Sequence, residues 1–280
     1  MGCSTIRDED KTAFDEKGYW IGPKIFEQDE LDRLAAAQDA VNAGVYETGT
    51  APADVYWRPG DNERCLRKID NAHLANRTIR TYVTHPTLGQ VAAQLLGVDT
   101  IRLWHDQLLY KPPGGTSAGC VPWHQDYNFW KCADSPDLIT AWIPLHDVDA
   151  GIGTMQVVPG SHRWGWHEVY STGREQVDLE AHRQRIERHL PAGASFSVVP
   201  LNLNAGQVSF HHCLTLHSSG PNLADRPRRS VVAHLQAGRC RWRSAPRSDR
   251  HLCARQMKSM GKQPRQTFEG DWWPVLYSNT

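Results

Sequence analysis

Two hydrophobic periodicities divide the chain. Over residues 28–41, Leu31, Leu34, Ala35 and Val41 recur at helical spacing among acidic and basic partners, and Gly44 supplies a stop, so an amphipathic helix is predicted there. A second helix is predicted over 88–96, with Pro86 near its start and Gly97 ending it. Before them, Phe14, Tyr19, Trp20, Ile21 and Phe26 form an apolar leading segment expected to pack on the main body, and 45–61 reads as an irregular loop. After Gly97 the pattern becomes short strand-like runs at 101–110, 138–144, 154–158, 194–199, 207–211, 214–217 and 229–236, punctuated by Gly, Pro and Asn. Many short strands behind a helical layer predict a mostly β fold with flanking helices, a jelly roll of cupin-like type. Residues 174–189 interrupt the strands with polar, helix-favouring side chains and read as an insertion or lid over one mouth of the barrel.

A chain of 280 residues that is 40% hydrophobic can bury its apolar surface in one core, and no linker-like tract splits it. The expected organisation is one catalytic domain over 1–280. Within it lie a helical N-terminal region (1–97), a jelly-roll core (98–240) with an insertion near 170–192, and a C-terminal extension (241–280). Lys+Arg and Asp+Glu both number 31, so no bulk field favours nucleic acid or a membrane as partner. The basic residues from Arg226 to Arg255 read either as a local patch for an acidic ligand or as a solvated surface. Seven cysteines, an odd number with no CxxC pair, argue against a disulfide framework and fit a reduced, cytoplasmic setting. No apolar run approaches the roughly 18 residues of a membrane span, and the Gly2-Cys3 hint of lipidation is opposed by Ile6. The expected partner is a small-molecule substrate, and the mixed charge is compatible with a monomer or a homodimer.

The chemistry concentrates at His124-Gln125-Asp126. Strand alternation would aim His124 and Asp126 to one side and Gln125 to the other. His217 follows 91 residues after Asp126, ahead of a Ser-Ser-Gly-Pro-Asn turn, and Arg228 stands 11 residues further on. Two imidazoles and one carboxylate on one face of a metal leave the opposite face open, which is the ligand set of a non-haem Fe(II) oxygenase. A lone His-x-Asp is common by chance; the later histidine and arginine give this one its weight. His211 and His212 compete for the third position, but strand neighbours face opposite ways, so at most one reaches a shared site. Arg228 can offer a two-pronged hydrogen bond to a carboxylate, and Arg229 is its rival on the other face.

These residues resemble the phytanoyl-CoA dioxygenase family of Fe(II)/2-oxoglutarate-dependent oxygenases. The likeness runs through Tyr110-Lys111-Pro112-Pro113-Gly114, Trp123-His124-Gln125-Asp126, Ala141-Trp142-Ile143-Pro144-Leu145, Val158-Pro159-Gly160-Ser161-His162 and His217-Ser218-Ser219-Gly220-Pro221-Asn222. It implies a double-stranded β-helix in which His124, Asp126 and His217 bind iron. It also implies 2-oxoglutarate and O2 as cosubstrates, with the distal carboxylate of 2-oxoglutarate on Arg228 and Ser219, and with Gln107, Trp142 and Gln125 lining its pocket. Halogenating relatives carry Gly or Ala at the carboxylate ligand, so Asp126 disfavours halogenation.

For the substrate, Arg102, Trp104 and Asp106 are expected on one strand face, Phe129 and Trp130 beside the metal, and Lys68 with Arg67 and Tyr56 on one wall. Core packing is the competing reading for Trp104 and Trp130. Aromatics with a few polar anchors suit a small or medium organic molecule, such as a specialised metabolite. Hydroxylation leads, with desaturation, epoxidation or ring formation by the same chemistry as alternatives and a non-catalytic cupin-like binding protein as the contrasting class.

Overall fold

A computed structural model describes residues 6–170, 178–244 and 248–279. Helix α1 (Asp8–Lys17) leads into β1 (Tyr19–Lys24), followed by α2 (Gln28–Asn42), the short strands β2 (Asp54–Val55) and β3 (Arg67–Asp70), α3 (Arg77–Val83) and α4 (Pro86–Leu96). Next come β4 (Thr100–Lys111), β5 (Val121–His124), β6 (Leu138–Pro144), β7 (Met155–Val157), α5 (Leu179–Glu187) and β8 (Val199–Pro200). The chain continues through β9 (Gln207–His212), β10 (His217–Ser219), β11 (Arg228–Ala237), α6 (Leu252–Ser259) and β12 (Val275–Ser278).

The helices end where local chemistry dictates. Pro86 opens α4, where its missing N–H costs nothing, and Gly97 closes it at φ 66°. Asn76 caps α3 by accepting the Ile79 N–H at 3.0 Å. α2 buries Leu31, Leu34, Ala37 and Val41, one stripe of the predicted helix.

All strand pairings among the described residues are antiparallel. The large sheet runs β1-β9-β6-β11-β4-β3-β2, with β12 also on β4, and the small sheet runs β5-β10-β7-β8. Among the described residues no pairing joins the two sheets into a closed barrel; the fold is a mixed sheet-and-helix architecture. One face of the large sheet presents Leu103, Leu108, Ile139, Ile143, Phe210, Val231 and Leu235 to the helical layer of α1–α4. From the opposite face, Trp142 and Val232 meet Met155 and Val157 of the small sheet. Residues after 240 close a third cluster in which Trp104 and Trp130 pack with Trp242, Met257, Phe268 and Trp273.

Several expectations need correction. The run at 194–199 contributes only Val199 to a strand, because Gly193 at φ 79° turns the chain and Phe196 packs edge-on under Trp123 instead of alternating. The strand expected at 214–217 begins at His217: residues 212–215 form a turn closed by the Thr215 N–H to the His212 carbonyl at 2.8 Å. The leading segment packs on the main body as expected, with Phe14 on α1 and Tyr19, Trp20 and Ile21 on a strand, β1, that pairs β9. In the expected insertion, α5 places Ile186 beside Trp123 and Leu216, the residues preceding His124 and His217. It therefore packs on β5 and on the residue leading into β10; residues 174–177 of that segment lie outside the described residues. No helix among the described residues is long and apolar enough to cross a membrane.

Candidate active site

β5 and β10 are neighbours, and their register places His124 directly opposite His217. That pairing converts a separation of 93 positions into ring centroids 4.0 Å apart. The third group arrives differently from the expected alternation. β5 stops at His124, Gln125 stays extended at φ −106°, and Asp126 opens a 3-10 turn closed by the Phe129 N–H to its carbonyl. Asp126 Oδ1 thereby lies 3.5 Å from His124 Nε2 and 3.7 Å from His217 Nε2. The three ligand atoms lie within 4.8 Å of one another.

Both imidazoles are already oriented as metal ligands. His124 donates Nδ1–H to the Pro122 carbonyl and His217 donates Nδ1–H to the Thr215 carbonyl, each at 2.9 Å. A proton fixed on Nδ1 leaves the Nε2 lone pair for a cation. Burial, with His124 adding to it, holds His217 well below the usual imidazole range and keeps it neutral. Burial opposes ionisation of Asp126, but the imidazoles around it, His217 foremost, outweigh it and hold the carboxyl well below its usual range. Bonds of roughly 2.1 Å to one ion put neighbouring donors about 3 Å apart, so a slight closure of these side chains seats a metal such as Fe(II).

A second buried feature accompanies the ligands. Arg228 is 1% exposed, donates Nη1–H to the Gly153 carbonyl at 3.1 Å, and has no protein partner for Nε or Nη2. Gly153 makes this possible: at φ 68°, a Cβ there would meet the Pro221 carbonyl oxygen at 2.6 Å. Burial lowers Arg228 only to about 10, so it remains a cation at neutral pH. Arg229, its rival, faces away and pairs with Asp39 at 3.0 Å. The Trp142 ring lies 5.5 Å from the Arg228 guanidinium, and Ser219 sits on β10 two residues after His217. A buried cation with free donors costs several kcal/mol unless an anion completes it, so this corner fits a carboxylate such as the distal end of 2-oxoglutarate.

Lys111, not singled out in the sequence, belongs to the same corner. It is fully buried opposite Arg228 in the β4–β11 register, and its Nζ donates to Ser219 Oγ at 2.7 Å and to the Gly220 carbonyl. Burial, with Arg228 beside it, holds the ammonium well below its ordinary range. Its position at the end of an alternating strand, two and four residues after Leu109 and Gln107, was the available signal. Gln107 lies on β4 between Val232 and Asp70. Gln125 points elsewhere: its amide donates to the Gly165 and Leu214 carbonyls at 2.9 and 2.8 Å, tying two loops behind the ligands.

The substrate candidates do not converge as a set. A bulge in β4 leaves Trp104 unpaired between His105 and Leu103 and shifts the face pattern. Arg102 donates to the Trp273 carbonyl, Trp104 stacks on His251 with centroids 5.4 Å apart, and Asp106 pairs with His73. The shared face expected for Arg102, Trp104 and Asp106 is therefore absent. Trp130 is buried against His234 (4.7 Å) and His105 (5.6 Å), whereas Phe129 is half exposed with its ring 6.0 Å from His124. Lys68 lies 3.4 Å from Asp70 and over the Tyr56 ring. A surface cavity of about 560 Å³ between 147–152 and 202–207 contains none of the metal ligands. The chemistry, by contrast, points to the buried polar corner.

Comparison with known proteins agrees with this geometry. A model of the phytanoyl-CoA dioxygenase family matches residues 14–230. A probable alpha-ketoglutarate-dependent hypophosphite dioxygenase of Stutzerimonas stutzeri is 25% identical over 227 residues, covering 80% of this chain and 76% of its own. The ectoine dioxygenase of Halomonas elongata is 26% identical over 248 residues, covering 81% and 70%. Among solved structures, the carbocyclase SnoK from nogalamycin biosynthesis aligns over 98% of both chains with TM-score 0.73 and 24% identity. The epimerase SnoN, in complex with Fe3+, alpha ketoglutarate and nogalamycin RO, aligns over 96% and 98% with TM-score 0.71 and 26% identity. With two imidazoles and a carboxylate converging on one point, and with the match spanning most of the chain, the protein belongs to the phytanoyl-CoA dioxygenase family of Fe(II)/2-oxoglutarate-dependent oxygenases.

Proposed function

We propose that the protein hydroxylates a small or medium organic molecule, with a specialised metabolite as the leading class. The observation that carries this reading is the union of the His124–Asp126–His217 cluster with the free donors of Arg228. Iron with 2-oxoglutarate supplies O2 activation and C–H oxidation when bound. The chain's own residues do the rest. His124, Asp126 and His217 would hold the ion, and their fixed Nδ1 protons keep both imidazoles from rotating away. Arg228 would take the distal carboxylate, Ser219 would assist it, and Lys111 would fix Ser219 from behind. Trp142 and Gln107 would flank the cosubstrate, and Phe129 would form the exposed lip beside His124. The two sheets would act as the halves of a double-stranded β-helix, with the N-terminal helices and the segment after 240 buttressing one catalytic unit. Six described cysteines are free, which supports a reducing, cytoplasmic setting.

The test is to load the protein anaerobically with Fe(II), add 2-oxoglutarate, O2 and a metabolite library, and score succinate together with substrate mass. Gain of one oxygen supports hydroxylation; succinate formation that no compound stimulates would refute the reading. A second reading is favoured by the likeness to the epimerase at 26% identity: the same oxidation ends in desaturation, ring formation or inversion. Loss of two hydrogens, or an unchanged mass with altered stereochemistry, would select it.

A further inference from the structure

A polar row crosses the interior of the large sheet at the level of the metal ligands. His211 on β9 pairs with Thr140 on β6, Thr140 with His234 on β11, and His234 with His105 on β4. All four side chains are buried. The Thr140 hydroxyl lies 2.8 Å from Asp126 Oδ2 and 2.8 Å from His234 Nδ1. A hydroxyl has one proton to give. Asp126, acting as a carboxylate ligand, can only accept, so Thr140 must donate to it. The Thr140 oxygen must then accept from His234, which places the imidazole proton on Nδ1. With the proton on Nδ1, the Nε2 lone pair of a neutral imidazole is left bare. His234 Nε2 is buried with no protein partner among the described residues, and neither nitrogen of the adjacent His105 ring, 4.3 Å away, has one. Unmet polar atoms in so dry a place are unfavourable by roughly 1–3 kcal/mol each, and a bound molecule carrying a donor would relieve the one at His234 Nε2.

Building on the Fe(II)/2-oxoglutarate reading, we propose that His234 is a specificity-determining residue whose Nε2 accepts a hydrogen bond from a hydroxyl or N–H of the substrate. The row then selects molecules bearing a donor close to the carbon that is oxidised. A purely apolar chain or an ether at that place would leave Nε2 unmet. Thr140 is a positioning residue in this scheme: it ties the acceptor state of His234 to the ionised state of Asp126. Trp130, edge-on to His234 at 4.7 Å, fixes the ring from the other side.

The test uses protein labelled with 15N-histidine and loaded with Zn(II) and 2-oxoglutarate, read by long-range 1H–15N correlation. The His234 signal is assigned by its loss in His234→Gln, or from the Thr140 variants should that protein fail to fold. The proposal expects Nδ1 protonated and Nε2 bare, a pattern kept in Thr140→Ser and lost in Thr140→Val. Matched alcohols, amides and their methylated counterparts are then added. At least one donor-bearing compound should move the Nε2 resonance while its methylated partner does not. A ring protonated at Nε2, or an Nε2 signal that no compound moves or that methylated compounds move equally, overturns the proposal. Failure of the His124 and His217 signals to respond to Zn(II) would instead overturn the metal site on which it rests.

Discussion

On one face of the large sheet Ile139, Ala141, Ile143, Val231, Ala233 and Leu235 pack against helices; on the other, one residue out of step along the same strands, stand Thr140, Trp142, Arg228, Ser230, His234 and Gln236. Both faces are sealed from water to the same degree. The first is stabilised by burial of hydrocarbon, about 25 cal/mol per Å², and asks for nothing more. The second carries Arg228 Nε, Ser230 Oγ and His234 Nε2 without protein partners. That deficit is a cost to folding, and under the proposed function an anion at Arg228 and a donor at His234 would meet it. Under that reading one face is scaffold and the other is site, separated only by the period-2 alternation of β6 and β11.

The comparison breaks if the polar face proves to be scaffold as well. Asp126→Ala should reduce substrate-coupled succinate formation to background while the folded protein persists, as measured by product assay and circular dichroism; normal turnover would remove Asp126 from the site. Leu235→Ala, on the apolar face, should lower stability by about 2–5 kcal/mol through the lost methyl groups and the cavity left behind, read as a shifted denaturant midpoint, with 2-oxoglutarate affinity preserved.

A pH experiment sharpens the same contrast. Burial, with His162 nearby, lowers His212 to about 4, and its Nδ1 accepts the Leu214 N–H at 3.1 Å. Its folded pKa lies below the unfolded value of about 6.5, so the unfolded chain binds the extra proton first. The neutral ring's contribution is complete above about pH 6.5 and is lost as pH falls towards 4, a change of roughly 3 kcal/mol. His212→Gln should flatten that part of the stability curve. The smallest effect is expected from Ser219→Ala, which removes one acceptor of Lys111 and should raise the KM for 2-oxoglutarate several-fold, roughly 1 kcal/mol, with little change in kcat.

The sequence made the apolar side of this comparison readable through period. The α2 stripe, the Pro86 and Gly97 boundaries of α4, and strands β6 and β11 follow directly from spacing and punctuation. The metal ligands were readable because residue type and order are restrictive there. What escaped depends on registers that no local pattern encodes. The bulge at Trp104 turns Asp106 away from Arg102, and β5 hides behind Pro122, a residue that disfavours strands. α1 buries only Phe14 and is marked by charges, with Asp8, Glu9 and Asp10 in its first turn and Lys17 in its last. Lys111 stands in one of the family-like blocks, but only the β11 register, which sets Arg228 opposite it, marks it as part of the site.

The most direct test of the central claim is an anaerobic titration of the Fe(II)-loaded protein with 2-oxoglutarate, followed by visible absorption. Chelation of the ion beside the buried guanidinium predicts a weak charge-transfer band that saturates with 2-oxoglutarate, and Arg228→Ala should shift the titration to concentrations about 100-fold higher, the weight of a charge-assisted pair. Absence of the band in the unaltered protein, or a titration that Arg228→Ala leaves unmoved, would contradict the account.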